Sequence, residues 1–116
     1  MAFLGTGKMA QAIIDPIINT GLQPVDRVSI FDVSVNQMKV VQAKHEGIIM
    51  AESISELVDG ADLVVCAVKP HNINAGLCTE LQKGNVPENA TFLSVIAGLP
   101  LERYYSTGYK KIVRSM

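Results

Sequence analysis

Hydrophobic positions along the chain form short unbroken runs separated by stretches with helical spacing. Met1-Ala2-Phe3-Leu4 is an apolar run that stops at glycine, the pattern of a buried parallel strand. Beyond it Ala10, Ile13, Ile14, Ile17 and Ile18 recur at intervals of three and four, which predicts a helix from Met9 to a C-terminal cap at Gly21. Pro16 sits inside that pattern without an N–H to donate, so a kink or an early stop is expected there. Residues 28–32 predict a second strand, and Ser34 with Gln37 has capping-box spacing at the head of a helix ending near Gly47. A short third strand over residues 48–51 follows, and Ser53 with Glu56 repeats the capping spacing before a short helix closed by Gly60. Residues 63–68 are continuously apolar, as in a central strand covered on both faces. Pro70 suits the first turn of a helix that carries Ile73, Leu77 and Leu81 inward and fades at Gly84. Residues 91–96 predict a fifth strand, Pro100 a short helix through Tyr104 and Tyr105, and residues 111–114 a sixth strand.

Strands alternating with helices imply an α/β fold, a doubly wound parallel sheet whose ligand lies at the carboxyl ends of its strands. A length of 116 residues is enough for one core, so residues 1–116 are read as a single domain. The hydrophobic fraction of 48% against 18% charged residues fits a packed globule and excludes disorder. With 10 basic and 11 acidic residues and no basic run, neither nucleic acid nor an anionic membrane is an expected partner. No apolar run approaches the roughly 18 to 20 residues of a spanning helix, and a signal peptide is not recognisable, so a soluble cytoplasmic location is expected. Cys66 and Cys78 lack metal-ligand or CxxC spacing and read as buried free thiols, with no metal site indicated. Tyr104, Tyr105 and Tyr109 read as packing partners with solvated hydroxyls.

Chemistry enters with Gly5-Thr6-Gly7-Lys8-Met9-Ala10, which fits G-x-G-x-x-A between a strand and a helix, the context of a Rossmann-type dinucleotide fingerprint. Gly5 permits the tight turn, Gly7 lets a pyrophosphate approach the backbone, and Ala10 lets the helix pack closely on the sheet. The helix N-terminus adds N–H donors and positive potential. Asp32 ends the second strand, 25 positions beyond Gly7, where a carboxylate accepts from the adenosine ribose 2'-hydroxyl and repels a 2'-phosphate. With no arginine after it, NAD is favoured slightly over NADP; the competing reading of Asp32 is a helix cap. Ala67-Val68-Lys69-Pro70 places an ammonium group and a helix start at the end of the central strand, where Lys69 contacts cofactor, fixes the loop or, as an equal alternative, is a solvated surface lysine. His71 is read as a polar first-turn residue, and His45 as a helix-end residue suited to the dipole. In Ser94-Val95-Ile96-Ala97-Gly98, small residues after a buried strand let a nicotinamide approach the backbone.

These blocks, with Ile112-Val113-Arg114-Ser115-Met116, resemble the N-terminal half of pyrroline-5-carboxylate reductase along the whole chain, except that Ile96 stands where the family has alanine. The resemblance implies hydride transfer from NADH or NADPH to the C=N carbon of 1-pyrroline-5-carboxylate, giving proline. By position, it implies that Leu4, Gly5, Thr6, Gly7, Lys8 and Met9 line the pyrophosphate. Ala67, Val68, Lys69 and Pro70 would follow the middle of the cofactor, Ala97 and Gly98 its nicotinamide side, and Ser53 the adenosine portion. It identifies no proton donor. Asp32 departs from the family, which often has a small polar residue there followed by residues that receive a 2'-phosphate. The resemblance further implies a helical domain after the V-R-x-M block that forms the homo-oligomer and much of the substrate pocket, so these 116 residues are expected to bind cofactor better than they turn over substrate. Competing readings are a related deazaflavin-dependent NADP reductase or beta-hydroxyacid dehydrogenase, which share the first motif, and a non-catalytic nucleotide-binding module.

Overall fold

A strand sandwiched between two layers has no polar face, and β1 (Ala2–Leu4) shows it: all three residues are at most 2% exposed. Ala2 and Leu4 join one core while Phe3 joins the other, following the two-residue side-chain period. The computed structural model describes residues 1–96 and 99–115. Its further strands are β2 (Ser29–Phe31), β3 (Ile49–Met50), β4 (Leu63–Cys66), β5 (Thr91–Ser94) and β6 (Lys111–Arg114), all parallel, in the order β3-β2-β1-β4-β5-β6.

Helices α1 (Lys8–Asn19) and α2 (Val35–Lys44) cover one face, burying Ala10, Ile14, Met38 and Val41 against Phe3, Ile30 and Val65. On the other face α3 (Ile54–Val58) and α4 (Ala75–Lys83) bury Leu57, Val58, Leu77 and Leu81 against Leu4, Val64, Cys66 and Phe92. The doubly wound parallel sheet expected from the alternating pattern is the fold observed. Among the described residues no helix is long and apolar enough to cross a membrane.

Three local expectations are corrected. Helix α1 does not stop at Pro16 but continues to Asn19. Pro16 and Ala12, whose carbonyl loses its partner, are both exposed, so the unpaired carbonyl lies on the solvent side of the helix, where the loss is tolerated. The single helix expected from Pro70 is split into a 3-10 turn (Pro70–Asn72) and α4, because Asn74 intervenes as N-cap, its Oδ1 accepting the Leu77 N–H at 3.0 Å. The apolar run at residues 63–68 is a strand only to Cys66, after which Ala67 and Val68 turn away beside the first glycine.

The tyrosines also differ from expectation. Only Tyr105, 62% exposed, has a solvated position. Tyr104 is fully buried and its hydroxyl pairs with Ser94 Oγ, while Tyr109 is buried against Phe92 with no partner for its hydroxyl among the described residues. Burial pushes the Tyr109 phenol up to about 12. His45, read from the sequence as a helix-end residue, is buried at the end of α2 with Nε2 2.6 Å from Asp15 Oδ1, and Lys44 reaches the other carboxylate oxygen at 3.1 Å. Cys66 and Cys78 are buried free thiols, as expected.

Candidate functional site

Between the carboxyl ends of β1 and β4 the sheet order reverses, which is where a doubly wound sheet leaves a crevice. Here it measures about 620 Å³. Its floor is the turn from β1 into α1. Gly5 has φ +98° and donates its N–H to the Phe31 carbonyl at 2.8 Å. A Cβ at Gly5 would lie 2.9 Å from both the carbonyl carbon and oxygen of Ala67, so only glycine lets this turn close on the end of β4. Gly7 serves a different need. It is the extended N-cap of α1, has no side chain to cap the helix, and a Cβ there would meet nothing within 4 Å. The first-turn N–H groups of α1 therefore keep their hydrogen-bonding capacity and the positive end of the helix dipole beside an open space, a cradle suited to an anion.

Thr6, fully buried between the two glycines, faces the other way. Its N–H and its hydroxyl both donate to Asp32 Oδ2, at 2.8 and 2.9 Å. Its carbonyl accepts from Gln11 Nε2 at 2.8 Å. Asp32 Oδ1 accepts the Ser34 N–H at 2.9 Å, but the cap of α2 is Ser34 itself, whose Oγ accepts the Gln37 N–H at 3.3 Å, so Asp32 braces the turn before the helix and does not cap it. Asp32 nonetheless lines the crevice, with Val33 and Gln37 beside it.

The structure brings Leu4, Gly5, Gly7, Asp32, Ala67, Val68 and Lys69 together around this space. Thr6 lies behind the wall, and Lys8 and Met9 are exposed on the first turn of α1 without lining the crevice. Pro70 is exposed and opens the 3-10 turn, whereas its neighbours His71 and Asn72 line the wall. Ser53 is the N-cap of α3, its Oγ accepting the Glu56 N–H at 3.1 Å, and it is Ile54 that reaches the crevice. Ala97 and Gly98 lie outside the described residues. Just before them, Ser94 is buried and tied to Tyr104 and to the Ile96 N–H at 3.2 Å.

Sequence reasoning missed the wall formed by Asn74, Gly76, Leu77 and Glu80. The signal was Asn74, a capping residue three positions before Leu77, which moves the start of α4 to the crevice rim. Of the described residues on the walls, Lys69 is the one Lys or Arg. Cys66, directly below Ala67, is no nucleophile: burial pushes its thiol up to about 12 and keeps it protonated. Among the described residues no cluster of His, Cys, Asp or Glu could hold a metal ion.

Comparison with known proteins decides the kinship. The family described as NADP oxidoreductase, coenzyme F420-dependent, matches residues 1–98. The chain belongs to that family. Within reach of this NADP oxidoreductase domain is a pyrroline-5-carboxylate reductase of Staphylococcus aureus (strain COL), 30% identical over 102 residues, which are 88% of this chain and 37% of the relative. The structure of a pyrroline-5-carboxylate reductase from Coxiella burnetii superposes with a TM-score of 0.82 at 27% identity, covering 98% of this chain and 42% of that one. A Plasmodium falciparum pyrroline carboxylate reductase solved with NADP bound shares the fold, with a TM-score of 0.69 at 23% identity over 97% of this chain and 39% of that one. The chain thus spans well under half the length of these relatives. It is an NAD(P)-dependent oxidoreductase domain of the Rossmann type.

Proposed function

We propose that this chain supplies the cofactor-binding domain for reduction of 1-pyrroline-5-carboxylate to L-proline by NADH or NADPH. The observation that carries the reading is the crevice at the strand-order reversal, which joins the uncapped helix N-terminus at Gly7 to the Ala67-Val68-Lys69 wall. Its support from outside the molecule is the similarity to proteins named pyrroline-5-carboxylate reductase.

A nicotinamide dinucleotide fits what the residues offer. The N–H groups following Gly7 would take the pyrophosphate, and Lys69 adds positive charge on the opposite wall. Asp32 would accept from a ribose hydroxyl, which favours NADH over NADPH, since no Lys or Arg lines that end of the crevice among the described residues. The cofactor supplies the hydride, and the chain's own contribution is binding and orientation. Ala97 and Gly98 are assigned to the nicotinamide side by their place after β5 alone.

The test is oxidation of NADH or NADPH in the presence of 1-pyrroline-5-carboxylate, with the chain alone and with it joined to the helical domain of a reductase relative. Turnover by the joined protein is expected. No oxidation in either form would sink the proposal, and tight cofactor binding without turnover would favour a non-catalytic module. A second reading, favoured by the description of the matching family, is hydride exchange between NADP and coenzyme F420. Replacing the imine with oxidised F420 in the same assay separates the two.

A further inference from the structure

We infer that Thr6 is a positioning residue that sets cofactor selection through Asp32, an inference that rests on the cofactor-binding reading above. In a G-x-G turn the middle residue has no packing duty that demands a hydroxyl. Here it is fully buried and every polar group it owns is committed: N–H and Oγ to Asp32 Oδ2, carbonyl to Gln11 Nε2. The Thr6 N–H is therefore spent on a carboxylate and does not join the anion cradle, which falls to the N–H groups after Gly7.

The consequence for Asp32 follows from counting lone pairs. A carboxylate offers about four acceptor sites, two on each oxygen. Oδ2 takes both Thr6 donors and is full, while Oδ1 takes the Ser34 N–H and keeps one site. Asp32 held in this way accepts one ribose hydroxyl, on Oδ1, and keeps its negative charge fixed where a 2'-phosphate would have to sit. Val33, 89% exposed beside it, offers no compensating cation. Removing the Thr6 hydroxyl leaves Oδ2 with the Thr6 N–H alone and opens one acceptor site on it, which loosens the carboxylate and weakens the ribose contact without touching the pyrophosphate cradle.

The experiment is calorimetric titration of the 116-residue chain with NAD and with NADP, for the wild type, Thr6→Val and Thr6→Ser. The wild type is expected to prefer NAD. Thr6→Val should weaken NAD by up to about tenfold, because the carboxylate that meets the ribose is no longer preorganised, and leave NADP within about twofold. Thr6→Ser, which keeps the hydroxyl, should restore NAD binding. Equal weakening of both cofactors, or no effect on NAD, overturns the inference while leaving cofactor binding intact as a reading. A folded wild type that binds neither cofactor overturns both. Should Thr6→Val fail to fold, amide hydrogen exchange on the wild type decides: the Thr6 N–H should be slow to exchange before any cofactor is added, and fast exchange that slows only on NAD binding refutes the assignment.

Discussion

At the scale of single residues, two glycines of one turn answer to different demands. Gly5→Ala places a methyl 2.9 Å from the Ala67 backbone at φ +98°, where neither strain nor clash can be relieved by a side chain moving. A loss of about 2 to 4 kcal/mol is expected, read as a lower urea midpoint. Gly7→Ala meets nothing within 4 Å, so stability should fall by less than about 1 kcal/mol while NAD affinity falls at least about tenfold, because the methyl enters the space left for the phosphate. Two tyrosines make a similar contrast. Tyr104→Phe leaves the buried Ser94 hydroxyl with the Ile96 N–H as its one partner among the described residues and should cost about 1 kcal/mol, whereas Tyr109→Phe removes a buried hydroxyl that has no partner among the described residues and should be neutral or mildly stabilising. Thermal unfolding of the two variants should shift in opposite directions or differ by several degrees. None of this is legible from residue type: the sequence shows three tyrosines near the end of the chain, and only tertiary packing separates the paired, the unpaired and the exposed one.

Between elements, the links that matter join residues about 30 positions apart. Asp15 on α1 meets Lys44 and His45 at the end of α2. The His45 hydrogen bond, then Lys44, holds the Asp15 carboxyl below its ordinary value of 3.8. A lowered folded-state value means that the contribution to stability is complete above that ordinary value and is lost as pH falls through the lowered one. Asp15→Asn should therefore cost up to about 1 kcal/mol near neutrality, discounted because the carboxylate is partly solvated, and the difference from wild type should close in acid. A constant difference across the pH range of urea titrations would refute the link. Helices and strands were legible because each follows from a period of hydrophobic positions and a nearby cap: Ser34 and Ser53 cap as their spacing predicts. Asn74 was passed over because Pro70 offered an equally good local start, and local rules cannot rank two starts four residues apart. Pro16 misled in the opposite sense, since whether a proline ends a helix depends on which side of it faces water.

Across the whole molecule, the alternation of runs and helical stretches was enough to specify a doubly wound sheet, and the glycine turn followed by Asp32 was enough to place one end of the crevice. The far wall was not, because Gly76 and Glu80 carry no signature of their own and reach the crevice only through the packing of α4 on β4. The contact between Gly5 and Ala67 has a consequence for synthesis. β1 is made first yet lies in the middle of the sheet, with β2 on one side and β4 on the other. A chain growing from the ribosome gives β1 its first neighbour, and the Gly5 N–H its Phe31 carbonyl, early, but Gly5 does not meet the Ala67 backbone until Leu63–Cys66 and the residues after it have emerged. The glycine turn is thus completed only after the residues through Val68 have emerged, and a cofactor that binds there as proposed would protect the finished domain but not a chain stalled before that point.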